Sequence, residues 1–581
     1  MNAGARPGGV AGRRGFGRIP FSFEDRSEWT LSSVLARQAR RYGPKPCLID
    51  RGAGPRNGDD ARVFSYREVD ELTTRIAWHL ASLGLSRGDR LMILSDNCAE
   101  YLFAWFGAAK AGIVEVPVNT EYFGPLLAHV VDVSRPGAVV VTERYLDRLL
   151  DVVDGQRSDA PRLILLGDGA REAVRSVARL GFSAVTFDSL LAPAGDDSLP
   201  EPCPAELGGI VFTSGTTGPS KGVMLPHAQL HFFAEETGAL VRLTEDDTYM
   251  VASPLFHGNA QFCTTYPTII AGGTVSLYEK FSPNKFSERL HESSATVVSF
   301  LGVMMEWVAK QPVDPRDRGS RLRCVFSLPT AWQFQPMLQE RFGIEAFVEG
   351  YGQTELGMPI LTPYSSDRPE GAVGLGLEQY FEIRLADMAT DEEVPVGAVG
   401  ELQARPKEPW IVSLGYFGMP DATAATRRNL WLHTGDGLRM DEDGWYYFVD
   451  RLNDSLRRRG ENISSYEVEQ PILGHPNVGS CAAVAAPADE DGGEDEILVF
   501  VVPRPGAGIE PEEVASWASD RLPKYLVPRY VQVVDSLPLT PSGKIQKSQL
   551  RSLGSAGAWD RCRAATVDGS ASGETIDHAP S

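Results

Sequence analysis

Cationic side chains are scarce in this chain: 56 Lys and Arg stand against 77 Asp and Glu over 581 residues, a formal net charge of −21 at pH 7. A surface of that sign repels nucleic acid and anionic membrane, so neither is expected as a partner, and cations at an anion site must be local placements. Cysteine is sparse as well. The seven cysteines, at positions 47, 98, 203, 263, 324, 481 and 562, include no Cys-x-x-Cys pair, which argues against a zinc site or a disulfide scaffold and for reduced thiols in the cytoplasm. No apolar run approaches the roughly 20 residues that span a bilayer. Arg13-Arg14 has the pairing of an export signal, but Pro20, Glu24, Asp25 and Arg26 interrupt the place where its apolar segment should follow. Internal repeats and a carrier-protein Asp-x-x-x-x-Leu-Gly-Gly-x-Ser signature are also missing.

What is present reads as an α/β protein. The hydrophobic fraction of 43% is ordinary for a globular chain, and the length exceeds what one core supports, so at least two domains are expected. Ser65 and Glu68 form a capping box ahead of Val69, Leu72, Ile76, Leu80 and Leu83 at helical spacing, with Gly84 as the stop. The strand Leu91 to Leu94, a helix from Tyr101 to Lys110 and the strand Ile113 to Val118 read as a βαβ unit. Alternation of this kind predicts mainly parallel sheets covered by helices. Past Gly397 the pattern shortens to β segments such as Glu401 to Ala404 and Trp445 to Val449, the signature of a small β-subdomain. The expected organisation is a flexible leader over 1–28, a large domain over 29–452, a small α+β lid over 453–553 hinged at Asn453, and a disordered tail over 554–581.

The densest chemical signal is Thr213-Ser214-Gly215-Thr216-Thr217-Gly218-Pro219-Ser220-Lys221-Gly222. Ile210-Val211-Phe212 and Val223-Met224-Leu225 flank it as buried strands. Glycines allow close backbone approach, hydroxyls and N–H groups donate hydrogen bonds, and Lys221 adds charge, the properties of a loop that holds a polyphosphate. It is not a Walker A loop, because the lysine precedes its glycine and no Lys-Ser or Lys-Thr pair opens a helix. Downstream stand Tyr351-Gly352-Gln353-Thr354-Glu355, Trp431-Leu432-His433-Thr434-Gly435-Asp436, Asp450-Arg451 and Pro538-Leu539-Thr540-Pro541-Ser542-Gly543-Lys544.

These five motifs, in this order, resemble the adenylate-forming superfamily, and in particular its acyl-CoA synthetases, from about Trp29 to about Leu550. Asp450-Arg451-Leu452-Asn453-Asp454 and Arg459-Gly460-Glu461-Asn462-Ile463-Ser464 are most similar to ligases for crotonobetaine, carnitine and other small or medium acids. The resemblance implies ATP-dependent activation of a carboxylic acid as an acyl-adenylate, with pyrophosphate released, followed by transfer to coenzyme A. Other branches pass the adenylate to a carrier-protein thiol, an amine or another acceptor, and the motifs leave that choice open.

By the same resemblance, Lys544 sits between carboxylate and α-phosphate during adenylation, and Thr354 bonds the α-phosphate. Glu355 ligates Mg²⁺, a cation that takes few carboxylates alongside phosphate oxygens. Tyr351, following Gly350 and preceding Gly352, offers a ring to adenine, Glu349 an acceptor to its amino group, and Asp436, reinforced by Arg451, an acceptor to the ribose hydroxyls. Gly460 lines a pantetheine tunnel and His257 the acyl pocket. Arg457, Arg458 and Arg459 crowd the Gly460 loop as candidate partners for the phosphates of coenzyme A or an acidic carrier. Near His257, Asn259 and Gln261 suit a polar acid, whereas Phe256, Phe262, Tyr266 and Met304 suit an apolar or aryl one. Where many relatives have a glycine turn, this chain has Phe326-Ser327-Leu328-Pro329-Thr330-Ala331-Trp332.

Overall fold

A computed structural model describes residues 15–52, 61–193, 195, 199–213, 220–365, 367–451, 456–458, 461–463, 465–487, 495–522, 526–539 and 545–563. Two seven-stranded sheets, each parallel but for its last strand, carry the bulk of the chain. In the first, Ala184–Thr186, Arg162–Leu166, Ala138–Thr142, Arg90–Leu94, Val114–Pro117 and Leu207–Thr213 run parallel, and Lys221–Pro226 adds antiparallel at one edge. In the second, Ala346–Val348, Cys324–Leu328, Val297–Leu301, Thr248–Val251, Thr274–Leu277 and Pro46–Asp50 are parallel, and Arg62–Ser65 closes the edge antiparallel.

The capping box at Ser65 and Glu68 starts the helix Tyr66–Ser82, and Gly84 follows it at φ 85°. The helix Ala99–Lys110 is apolar on every side and buried throughout except at Lys110, as such a helix must be. Gly107 lets it approach Tyr66–Ser82, because a Cβ there would come within 2.5 Å of Ile76. One apolar cluster, including Trp105, Phe232 and Tyr266, draws residues from both sheets and the helices beside them.

A third seven-stranded sheet is wholly antiparallel, in the order Gly350–Gln353, Gly357–Leu361, Ala372–Gly376, Trp445–Arg451, Leu432–Met440, Val399–Pro406 and Phe381–Ala386. This is the expected β-subdomain, and it begins earlier than the pattern past Gly397 indicated. After it come the short pair Leu456–Arg458 and Glu461–Ile463, then a four-stranded sheet with its own core around Val468, Val499 and Val531. Asn453, the expected hinge, lies outside the described residues.

Packed structure reaches further at both ends than composition indicated. Within the segment expected to be a flexible leader, Ile19 and Phe23 are fully buried and the Ser22 amide donates to Glu235 Oε1 at 2.9 Å. Phe16, Ile19, Phe21 and Phe23 anchor a segment whose average composition is polar. Within the expected tail, Trp559–Asp560 pairs antiparallel with Tyr530–Val533. A few spaced apolar residues gain enough burial to order a segment that averages as a coil.

Candidate functional site

The strands Leu207–Thr213 and Lys221–Pro226 pair with Thr213 opposite Lys221, so the two ends of the Gly/Ser/Thr segment face each other across the ladder. Ser214, Gly215, Thr216, Thr217 and Gly218 lie outside the described residues. The stretch 414–417 runs along the second strand, with Met224 N donating to Gly415 O at 2.9 Å and Phe417 N to Gly222 O at 2.8 Å. That pairing places the Tyr416 ring 5.0 Å from the Lys221 ammonium. The Tyr416 hydroxyl donates to Glu355 Oε1 at 2.9 Å. Burial, and then the Glu355 carboxylate, hold that hydroxyl well above its ordinary pKa, so it stays a donor. Tyr416 thus links the lysine of the phosphate-type segment to the carboxylate of the second motif.

Glu355 is further fixed through its backbone, where Ser413 N donates to its carbonyl at 3.0 Å. Arg427 bonds the Ser413 carbonyl in turn, and burial lowers the pKa of its guanidinium. The Thr354 carbonyl accepts from Gln229 Nε2 at 2.9 Å. Gly352 is required by space, since a Cβ would lie 2.3 Å from the Gly357 carbonyl oxygen.

Tyr351, on the first strand of the third sheet, donates its hydroxyl to Asp436 Oδ2 at 2.7 Å, and Gln353 Nε2 donates to the same oxygen at 2.8 Å. Phe448 faces the Tyr351 ring at 6.3 Å between centroids and 26° between planes. Asp436 lies in register with Arg451 on the neighbouring strand. The turn ahead of Asp436 is clamped by Glu401, which accepts from Gly435 N at 2.9 Å through one oxygen and meets His433 Nδ1 at 2.8 Å through the other.

Glu349 has a contact that its sequence position did not suggest. It borders the cavity, but its carboxylate forms a buried ion pair with Arg368, and the same oxygen accepts from Thr330 N at 3.1 Å. Both contacts fall on Oε2, and a carboxylate has two acceptor oxygens, so the pairing with Arg368 orients Glu349 at the cavity edge. His257 is exposed toward the cavity, 4.6 Å from the Phe256 ring, just ahead of a π-helical turn, Asn259–Thr265. Such turns recur at functional sites. This turn directs Gln261 inward, where it is buried and donates to Glu115 Oε1 at 2.8 Å, and Tyr266 is buried in the core. Neither lines the cavity, unlike Phe256, Asn259, Phe262 and Met304.

Thr213, Lys221, His257, Tyr351, Gly352, Thr354, Glu355 and Asp436 all border one cavity of about 1240 Å³. For Arg451 only the strand register is described, and Gly460 and Lys544 lie outside the described residues. Among the described residues no group of three His, Cys, Asp or Glu is placed to hold a metal ion. A single carboxylate such as Glu355 still suits a cation whose other ligands are phosphate and water. Sequence reasoning gave no role to Tyr416, Arg427, Glu401 or His433. Only Gly415 and Gly418 around Tyr416, at φ 107° and 68°, marked that turn as unusual.

Comparison with known proteins follows the same lines. Residues 35–417 match the family model described as AMP-binding enzyme, and residues 467–544 that described as AMP-binding enzyme C-terminal domain. A crotonobetaine/carnitine–CoA ligase of Salmonella paratyphi A is 32% identical over 525 residues, covering 88% of this chain and 97% of that protein. The ligase of the same name from Salmonella typhi is 31% identical, with coverage of 88% and 97%. Among solved structures, ATP-bound MatB from Rhodopseudomonas palustris superposes with a TM-score of 0.75 at 26% identity, covering 90% of this chain and 99% of that one. The anthranilate CoA ligase AuaEII in complex with anthranoyl-AMP shares the fold, with a TM-score of 0.77 at 22% identity and coverage of 90% and 97%.

Proposed function

The chain belongs to the AMP-binding enzyme family, and from that premise we propose that it is an AMP-forming acid:CoA ligase working in two half-reactions. In the first, a carboxylate oxygen of the acid attacks the α-phosphorus of ATP; an acyl-adenylate forms and pyrophosphate leaves. In the second, the coenzyme A sulfur attacks the acyl carbonyl carbon, the bond to AMP breaks, and the thiol proton passes to solvent. The observation that carries this reading is the convergence of Lys221, Tyr416, Glu355, Tyr351 and Asp436 on one cavity, linked by the contacts at Tyr416 and Asp436.

In this reading Tyr351 stacks on adenine, Asp436 and Arg451 hold the ribose, and the stretch from Thr213 through Ser214, Gly215, Thr216, Thr217 and Gly218 to Lys221 cradles the β- and γ-phosphates. Thr354 bonds the α-phosphate and His257 borders the acid. Anion meeting anion is the obstacle, and Lys544 supplies charge where it develops in the transition state. Glu355, backed by Tyr416, suits one Mg²⁺ ligand position; the cation, when bound, neutralises phosphate charge. A turn of the lid about Asn453 then exchanges Lys544 for Gly460 and opens the way for pantetheine.

No helix among the described residues is long and apolar enough to cross a membrane; seven scattered cysteines without a Cys-x-x-Cys pair favour a reducing, cytoplasmic setting. Pyrophosphate release across small, medium, aryl and hydroxylated acids, with and without coenzyme A, tests the proposal. Acid-dependent release with acyl-CoA formed supports it. Release with coenzyme A untouched reassigns the acceptor to a carrier-protein thiol or an amine, and no release with any acid refutes the adenylation itself.

A further inference from the structure

Four neighbouring parallel strands of the second sheet, Thr248–Val251, Thr274–Leu277, Val297–Leu301 and Cys324–Leu328, end at the cavity, the edge where open α/β sheets take their ligands. The residues at and after those ends build one wall: Phe256, Phe281, Leu301, Met304, Trp307 and Leu328. Polar groups on it are few. The Asn259 side chain already exchanges contacts with Ser299 Oγ at 3.0 and 3.2 Å. Lys280 is the one Lys or Arg that these loops bring to the cavity among the described residues. The cavity's two arginines, Arg427 and Arg428, are engaged with Ser413 and His433 on the side of the third sheet. Among the described residues these loops therefore bring one ammonium, Lys280, to the cavity, no guanidinium, and no carboxylate to meet a cation.

The outer end of this wall is open. Leu301 and Trp307 border the cavity and are nevertheless 47% and 45% exposed. Phe281 lies against Trp307, 6.3 Å between centroids at 28°. Adjacent apolar side chains left in water at the mouth of a cavity mark a surface that a ligand covers. A cavity of about 1240 Å³ exceeds the roughly 300–1,000 Å³ of ordinary single-ligand pockets, as a site for a nucleotide together with an acid requires.

We infer that the acid has an elongated apolar tail, alkyl or aryl-alkyl, whose carboxylate lies near His257 and whose far end leaves the protein between Phe281, Leu301 and Trp307. This rests on the ligase reading above. A tail drawn along an apolar wall gains affinity with each methylene, about three- to fourfold at full burial. Because the wall ends in an open mouth, the gain levels off with length instead of reversing as it would in a closed pocket. Short hydrophilic acids and quaternary ammonium acids gain nothing from it, and a dicarboxylate finds only Lys280.

The test is kcat/KM for pyrophosphate release along the straight-chain acids from acetate to dodecanoate, with phenylalkanoates, a dicarboxylate and carnitine beside them. The expected result is a rise with length to a plateau. In Trp307→Ala and Leu301→Ser, the preference for decanoate over butyrate should drop by about tenfold or more, judged as a ratio so that a general loss of activity cancels. A second readout needs no turnover: an ω-bromo long-chain acid should quench tryptophan fluorescence in the wild type, and Trp307→Phe should lose most of that quenching. Equal or falling kcat/KM with length, best turnover of carnitine or a dicarboxylate, or quenching that survives Trp307→Phe would overturn the inference and leave the ligase reading standing. No release with any acid would strike the ligase reading instead.

Discussion

The hydroxyl of Tyr351 donates to Oδ2 of Asp436 at 2.7 Å, joining two residues 85 positions apart in a buried contact. The ring read as the adenine platform and the carboxylate read as the ribose acceptor are therefore one rigid unit. Removing the hydroxyl in Tyr351→Phe leaves the ring in place and loosens the carboxylate. A buried hydrogen bond to a charged group contributes on the order of 2 kcal/mol to stability, so the melting temperature should fall, and KM for ATP should rise to the extent that Asp436 loses its position. Unchanged nucleotide affinity in a calorimetric titration would show that this contact does not position Asp436 for the nucleotide, Gln353 holding the same oxygen by itself.

Glu355→Gln keeps the shape of the side chain and its contact with Tyr416 while removing its charge. A hard cation binds an amide less well than a carboxylate, so half-saturation in Mg²⁺ should move to higher concentration far more than the melting temperature changes. If the Mg²⁺ dependence of the rate is the same in variant and wild type, the metal is held elsewhere.

Lys544→Ala should lose adenylate formation by more than about a hundredfold, in line with roughly 3 kcal/mol for one electrostatic donor in a transition state. ATP binding, and coenzyme A-dependent consumption of a supplied acyl-adenylate, should persist, because Lys544 belongs to one lid orientation. Near wild-type pyrophosphate release by the variant would refute the role.

Regular elements were largely legible in the sequence, because a capping box at Ser65 and Glu68 and a βαβ period around Arg90–Leu94 and Val114–Pro117 act locally. The resemblance carried by the ordered motifs also implied that Tyr351, Glu355 and Asp436 share a site, and all three border one cavity. What stayed hidden depends on partners distant in the chain. Tyr416 matters because a neighbouring strand sets its ring beside Lys221 and its hydroxyl on Glu355, which no local pattern records. The pairing of Glu349 with Arg368, 19 positions away, was likewise not legible in the sequence. Gln261 looked like a pocket residue, but a π-helical turn changes the phase by which a helix sorts its faces, and the side chain meets Glu115 instead.

That contact has a pH consequence. Glu115 is buried beside Gln261 and Tyr101, and desolvation pushes its pKa from 4.5 up to about 8, a rise that its hydrogen bonds with those two groups oppose. A folded pKa above the unfolded value means that, between those limits, the folded protein keeps a proton the unfolded chain has released. Stability should therefore fall as pH rises through this window, by up to about 1.4 kcal/mol per pH unit. Glu115→Gln removes that slope. Urea unfolding at several pH values should show the variant gaining on the wild type from about pH 5 to about pH 8 and then holding a constant margin. Parallel curves across that range would contradict the assignment.

If this cavity joins a carboxylate to the α-phosphate of ATP, exchange of labelled pyrophosphate into ATP reads that step alone. With an accepted acid and Mg²⁺ but no coenzyme A, label should enter ATP at a rate that depends on the acid. Adding coenzyme A should drain the adenylate, releasing AMP and forming acyl-CoA. Exchange that ignores the acid, or acid-dependent turnover that yields ADP and phosphate with no exchange of pyrophosphate, would contradict it.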